Sequence, residues 1–370
     1  MDFDELLNSD DVANDVTVIE FIKKSDIPVV MYGATVDVAD QIVKKLALNH
    51  VSITIVAFDD SSPLMIDSTA LLKSAETMRV VDIDEKFPAY NVILGFVRAY
   101  SNVEGIAQKF KNARSVSYLS EIFDMEIITQ SFILENKDYL KNFYDNLLDQ
   151  HSKDSFVAYL MSKTRQDMKY LPSIFDKIQY FPKGLFELTD NESYFDCGAF
   201  VGDTIAEFLK ASGGLYNRIW AAEPDSFNYK ELMKYIEEEK LLNVEVVNKG
   251  IYGYAGKLPF QEDGSMLSMI SEDSDNYIEV DTIDNIVDGK PVTYIKMDVE
   301  GAELMALKGA EQTIRRNKPI LGISIYHKER DLIDIPVYIK SIVPEYKFYF
   351  RVHKKLAIDT VLYGVIGDNC

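Results

Sequence analysis

Asp196, Glu223, Asp298 and His327 each fall where a run of apolar residues ends. The runs are Tyr194-Phe195, Ile219 to Ala222, Val292 to Met297 and Ile320 to Tyr326, and they read as buried strands. In a parallel α/β sheet, strand carboxyl ends share one rim, and ligands bind there. Between Asp196 and Thr204 lies a loop with glycine at both ends, Gly198 and Gly202, followed by a helical pattern in Ile205, Phe208 and Leu209. Without side chains at those two positions the backbone is free to approach a ligand and turn N–H groups toward it. Glu223 ends the second strand. A carboxylate there can accept two hydrogen bonds from a ribose cis diol; an N-cap or surface acid is the alternative, and Asp225 is itself a cap candidate.

Asp298 and His327 are candidate proton acceptors, and the ordinary pKa of imidazole suits that task. Glu300 and Glu303 lie three apart, on one face of a helix. With Asp298 they are candidate ligands for a divalent cation or partners for sugar hydroxyls; acids are also favoured at a helix N-terminus by its dipole. Lys296 is two residues before Asp298, so both point to one face of the strand and are expected to pair. The candidate catalytic set is therefore Asp298, His327 and Lys296. His353 reads as part of a solvated turn, and Cys197 as a small buried side chain. The irregular stretch Glu262 to Asn276 offers Ser265 and Ser268 to an acceptor if it covers the rim, and is otherwise a surface loop.

The elements that must position these groups form an α/β pattern. Phe3, Leu6 and Leu7 mark an acidic amphipathic helix. Ile27 to Ala34, a helix over Val38 to Leu48, and Val51 to Phe58 form a βαβ unit that opens a Rossmann-like domain. It has only Gly33 in its turn and lacks the dinucleotide fingerprint. Gly33 and Asp59 mark either a degenerate nucleotide or sugar site or a plain structural turn. Tyr90 to Phe96 and Ser115 to Leu119 extend that sheet, and a helical pattern runs from about Asn136 to Phe181. The second half alternates strand and helix again, with Val244 to Tyr252 as its third strand. Tyr346 to Arg351 and Thr360 to Ile366 read as an antiparallel hairpin at one sheet edge. This gives three parts: a Rossmann-like α/β domain over 1–130, a helical connector over 131–184, and a doubly wound α/β domain over 185–370.

The chain has 370 residues and a net charge of -21, from 60 acids against 39 bases. That balance excludes an extended polyanion-binding surface, so neither nucleic acid nor an anionic membrane is an expected partner. Two cysteines, Cys197 and Cys370, suggest no disulfide framework and fit a reducing, cytoplasmic compartment. The acidic N-terminus does not read as a signal peptide, and no apolar run is long enough to span a bilayer.

The run Asp196-Cys197-Gly198-Ala199-Phe200-Val201-Gly202, then Glu223-Pro224-Asp225, then Ile295 to Glu303 with Leu307-Lys308-Gly309-Ala310, resembles the FkbM family of methyltransferases. Asp281-Thr282-Ile283-Asp284 also fits that pattern. The resemblance covers about Leu185 to Ile366. It implies a class I methyltransferase fold that uses S-adenosylmethionine, with O-methylation of a sugar, glycan precursor or polyketide hydroxyl. It implies that Asp196, Gly198, Ala199, Phe200, Gly202 and Thr204 hold the methionine part of the cofactor. Glu223 and Pro224 would meet the ribose, and Asn248 and Gly250 the adenine. Some family members carry an N-terminal α/β domain; here that region or the helices would make a homodimer. Two rival readings are a non-catalytic scaffold whose first domain binds a partner, and a nucleotide-dependent oxidoreductase, which the missing glycine fingerprint disfavours.

Overall fold

The computed structural model describes residues 2–8, 18–34, 36–58, 75–95, 109–119, 127–167, 170–171, 173–261, 269–270, 276–353 and 359–367. The chain forms two compact units, one of Met1–Asp145, Lys153–Phe175 and Lys354–Ile358, the other of Asn146–Ser152, Asp176–His353 and Asp359–Cys370. Asp59, Ser265, Ser268 and Cys370 lie outside the described residues.

The first unit holds strands β1 (Val29–Tyr32), β2 (Ile55–Phe58), β3 (Glu76–Arg79), β4 (Tyr90–Leu94) and β5 (Ala113–Ser117). They form one sheet in the order β3-β2-β1-β4-β5, and every pairing is parallel. Alternate residues of β1 serve opposite faces: Val30 and Tyr32 join one apolar cluster, Val29 and Met31 the other. A strand covered on both faces reads as an unbroken apolar run, and β1 does. On the second face the helix Val36–Leu48 contributes Ala39, Ile42 and Leu46 at helical spacing. Strand β3 carries no such signal. It is Glu-Thr-Met-Arg with only Met78 buried, as an edge strand allows.

The helices expected over 131–184 are Gln130–Glu135, Lys137–Asp145 and Gln150–Arg165. Most of them belong to the first unit, and residues from Asp176 on to the second. Helix does not continue to Phe181. Gln166 turns to φ 50° and ends the last one.

The second unit contains β6 (Ser193–Cys197), β7 (Arg218–Ala222), β8 (Val244–Val247), β9 (Gly250–Ile251), β10 (Gly256–Gln261), β11 (Met269–Ile270), β12 (Tyr277–Asp281), β13 (Tyr294–Met297), β14 (Ile320–Ser324), β15 (Lys347–Val352) and β16 (Thr360–Val365). Seven of them form the main sheet, in the order β15-β16-β14-β13-β6-β7-β8. Strands β8, β7, β6, β13 and β14 run parallel, while β16 is antiparallel to both β14 and β15. The hairpin lies at the edge, as its sequence indicates. The run Val244 to Tyr252 is not one strand. After β8 the chain leaves this sheet, and β9 pairs with β12 in a separate sheet of order β11-β10-β12-β9.

An aromatic core fixes the centre of the main sheet. The rings of Tyr194 and Phe208 stack at 4.5 Å, and Phe181 and Phe186 meet Tyr294 edge-on at 5.4 and 5.6 Å. Each such pair contributes about 0.5–1.5 kcal/mol beyond the burial of its area. This packing sets β6 and β13 side by side, with Asp196 opposite Lys296 in the register.

Candidate active site

The loop after β6 is bonded almost wholly within the protein. The N–H groups of Gly198 and Ala199 both donate to the Ala222 carbonyl at 3.0 Å, and that of Gly202 donates to Ala199. The Phe200 N–H donates to Glu223 Oε2 at 2.9 Å. These donors are therefore not turned toward a ligand, contrary to the expectation from the glycines. The glycines answer two other needs. Gly198 has φ +77°, and a Cβ there would lie 2.0 Å from the Asp298 carbonyl oxygen. Gly202 has φ +92°, and a Cβ there would lie 2.6 Å from the Tyr235 ring.

Lys296 holds the loop from below. Its side chain is buried, 3.0 Å from Asp196 Oδ1, and its ammonium donates to the carbonyls of Gly198 at 2.6 Å and Cys197 at 3.3 Å. Asp196 Oδ2 accepts from the Thr204 hydroxyl at 2.9 Å, which ties the loop to the helix Asp203–Ala211. Burial works against the charge of Lys296, but the carboxylates of Asp196 and Asp298 outweigh it and hold its pKa above the ordinary lysine value. The expected pairing of Lys296 with Asp298 is thus replaced by one across the strands. Parallel register sets Lys296 beside Asp196, and the lysine serves as an anchor.

Glu223 sits just past β7, 6% exposed. Its Oε1 accepts the Asp225 N–H at 2.9 Å. Asp225 takes the capping role, accepting from Phe227 and Asn228 at the start of the helix Ser226–Glu238. Burial pushes the Glu223 carboxyl up to about 7, against the two backbone donors that favour its charge. A carboxylate has about four acceptor sites, so two donors leave capacity for a diol. Asn248 donates to the carbonyls of Glu223 at 2.8 Å and Pro224 at 3.1 Å and pins this turn. Gly250 starts β9, and a Cβ there would press on Ile278 and Val280.

The ends of β13 and β14 bring together a different set. His327 Nε2 lies 3.3 Å from Glu300 Oε2 and 3.7 Å from Asp298 Oδ1, and Nδ1 lies 3.0 Å from Glu303 Oε1. Burial disfavours a charged imidazole, but Glu303, Glu300 and Asp298 outweigh it and hold the His327 pKa well above its ordinary value. Glu303 is fully buried and also accepts the N–H groups of Val299 and Gly301, at 3.0 and 3.3 Å. It therefore closes the turn, in which Glu300 takes φ 51° and Gly301 φ 87°. Asp298, Glu300 and His327 each offer one ligand atom, all within 4.8 Å of one another. The third member of this cluster is His327, where Glu303 was expected, and Glu303 lies against its other nitrogen. Carboxylate–imidazole–metal centres are built this way, because the outer acid fixes the tautomer. Two carboxylate oxygens and one imidazole nitrogen suit a divalent first-row cation.

Two hydroxyls reach Asp298, neither of them marked by the sequence. Tyr180 donates to Asp298 Oδ2 at 2.9 Å and lies 3.1 Å from Ser324 Oγ, and Tyr326 approaches Oδ1 at 3.4 Å. Burial, then the charges of Asp298 and Asp359, keeps the Tyr180 phenol well above its ordinary pKa. His353 is not in a solvated turn. It is 3% exposed, with Nδ1 at 3.1 Å from the Asp176 carbonyl and Nε2 at 2.7 Å from the Tyr363 hydroxyl.

Five parallel strands, a terminal antiparallel hairpin, a glycine loop after the first strand and an acid after the second define a class I methyltransferase fold. Residues 196–349 match the family model of the methyltransferase FkbM domain, which supports methyltransferase activity. The chain is similar to a solved methyltransferase FkbM from Methylobacillus flagellatus KT, with 22% identity, a TM-score of 0.66, and coverage of 98% of this chain and 97% of that one. Two distant similarities are an rRNA methylase from Streptococcus thermophilus and the Aeropyrum pernix fibrillarin bound to S-adenosyl-L-methionine. The first has 15% identity and a TM-score of 0.33, covering 49% of this chain and 90% of that one. The second has 12% identity and a TM-score of 0.32, covering 50% and 71%. No curated protein matches the sequence. Among the described residues no helix is long and apolar enough to cross a membrane.

Proposed function

We propose that this protein transfers the methyl group of S-adenosylmethionine to a hydroxyl of a sugar or glycan precursor, with a divalent cation at Asp298, Glu300 and His327. The observation that carries the reading is the convergence of those three side chains on the rim that also carries the glycine loop and Glu223. The sugar is the acceptor class implied by the FkbM resemblance. A cytoplasmic location and a homodimer belong to the same reading, the first supported by the cysteine usage.

The cofactor fits the residues present. Glu223 would take the ribose hydroxyls on the acceptor sites left by Phe200 and Asp225, and Gly198 to Gly202 would border the methionine part. Bound there, S-adenosylmethionine supplies a methyl carbon activated by its sulfonium. A cation on Asp298, Glu300 and His327 would supply positive charge that favours the alkoxide form of the acceptor. Glu303 keeps the His327 ring oriented, and Tyr180 and Tyr326 hold the Asp298 carboxylate. The proton lost by the hydroxyl passes to this carboxylate cluster. Lys296 and Thr204 keep the loop rigid, so that acceptor and methyl carbon are brought into line without rearrangement.

The test is calorimetric titration of S-adenosylhomocysteine into wild type and Glu223→Ala, with NAD as control. Micromolar binding that weakens at least about 10-fold in the variant is expected, the cost of a lost charged hydrogen bond. An acceptor screen over nucleotide sugars, with Mn²⁺ or chelator, then follows. A folded wild type that binds no adenosyl ligand would overturn the reading.

A further inference from the structure

Tyr180 lies before the region that matches the FkbM domain, yet its hydroxyl is one of the groups closest to Asp298. Its backbone has φ +59°, a conformation that a bulky residue adopts only when its surroundings impose it. Those surroundings are specific. The Tyr180 N–H donates to the Tyr363 hydroxyl at 2.8 Å, and the Tyr294 hydroxyl donates to the Tyr180 carbonyl. Having accepted that N–H, the Tyr363 hydroxyl donates to His353 Nε2 at 2.7 Å. The proton of neutral His353 is then on Nδ1, 3.1 Å from the Asp176 carbonyl. The Tyr180 ring packs under the Lys296 ammonium, 5.3 Å from its centroid. Backbone and ring are thus both fixed, with the hydroxyl held between Asp298 Oδ2 and Ser324 Oγ.

We propose that Tyr180 is a positioning residue: by holding Asp298 Oδ2 it turns Oδ1 toward His327 and Glu300. Resting on the cation-centre reading above, the inference adds a support drawn from outside the matched domain. A carboxylate on a short side chain has two rotatable bonds, and Val299 and Glu300 follow Asp298 in a turn. Oδ2 is anchored by the 2.9 Å bond from Tyr180, which leaves Oδ1 as the oxygen 3.7 Å from His327 Nε2. Groups behind a metal ligand govern its orientation, and their loss typically lowers metal affinity about 10–100-fold.

Tyr180→Phe removes only the hydroxyl and leaves the ring, its contact with Lys296 and both backbone bonds. Mn²⁺ binding is measured by calorimetry on wild type, Tyr180→Phe and Asp298→Asn, together with the melting temperature and a crystal structure of Tyr180→Phe. The expected result is a Tyr180→Phe variant that stays folded, binds Mn²⁺ about 10-fold or more weakly and has a rotated Asp298 carboxylate. Asp298→Asn should lose binding altogether. Unchanged affinity in folded Tyr180→Phe overturns the proposal. Should wild type bind no Mn²⁺, the cation centre itself falls, and an Asp298 carboxylate unmoved in the Tyr180→Phe crystal structure overturns the positioning role separately. Should Tyr180→Phe not fold, Tyr363→Phe, which unseats the Tyr180 backbone, must still weaken Mn²⁺ binding several-fold; equal affinity there overturns it.

Discussion

At the ends of β6 and β7, the N–H groups of Gly198, Ala199, Phe200 and Gly202 are all bonded within the protein, and buried Asp196 has a lysine beside it. At the ends of β13 and β14, three carboxylates converge on one imidazole. Both regions lie on one rim of one sheet. In the first, the loop N–H groups and Asp196 have partners within the protein, and the backbone is locked. The second holds more negative charge than its single histidine can balance, and Asp331 next to it, buried and near Glu303, is pushed up to about 7. A preformed cradle and a charge-hungry cluster suit a reaction that must hold one substrate still and draw a proton from another.

The comparison can be broken most strongly at Lys296. Lys296→Ala leaves the buried Asp196 without its partner, and should cost about 3–5 kcal/mol of stability. Urea unfolding checks it, and a loss below about 1 kcal/mol would mean that the first region is not held by this pair. A smaller effect concerns the support behind Asp298. Burial lowers the His353 pKa from 6.5 to about 4, so the unfolded chain binds the proton more readily than the folded one. The His353 contribution is therefore fully present above pH 6.5 and is lost as pH falls toward 4, by up to about 3 kcal/mol. Glu223, raised to about 7, gives the opposite slope between pH 4.5 and 7. The measurement is thus the difference in unfolding free energy between wild type and His353→Gln across that range, and a flat difference would count against a buried neutral imidazole.

The smallest effect sharpens the contrast by its sign. Burial raises the Glu300 pKa, aided by Asp298 and Glu303 and only partly opposed by His327. Glu300→Gln should therefore stabilise the metal-free protein, by about 0.5–2 kcal/mol, while weakening Mn²⁺ binding. A thermal melt with chelator present checks it. Destabilisation there would make the cluster a structural network like that of the first region.

Much of this was legible in the chain. Continuous apolar runs announced β1, β6, β7, β13 and β14, because strands covered on both faces must be apolar throughout. Their terminal polar residues then fell on the rim by topology alone. Elements whose burial is one-sided or slight, such as β3 and the sheet of β9 to β12, left no comparable pattern. The single run Val244 to Tyr252 hid a departure from one sheet to another, which only pairing partners reveal.

By itself the sequence determined the fold class, the order of loop, acid and acid cluster, and which residue types stand at the strand ends. Those follow from periodicity and turn chemistry, which are local. Tertiary structure decided the partners. Parallel register gave Lys296 to Asp196 in place of Asp298. The turn at Gly301 set the Glu303 carboxylate against the Gly301 N–H and His327 Nδ1. Tyr180, 118 positions away from Asp298 in the chain, reached that carboxylate only through packing. Such choices depend on distances between residues far apart in sequence, and no local pattern encodes a distance.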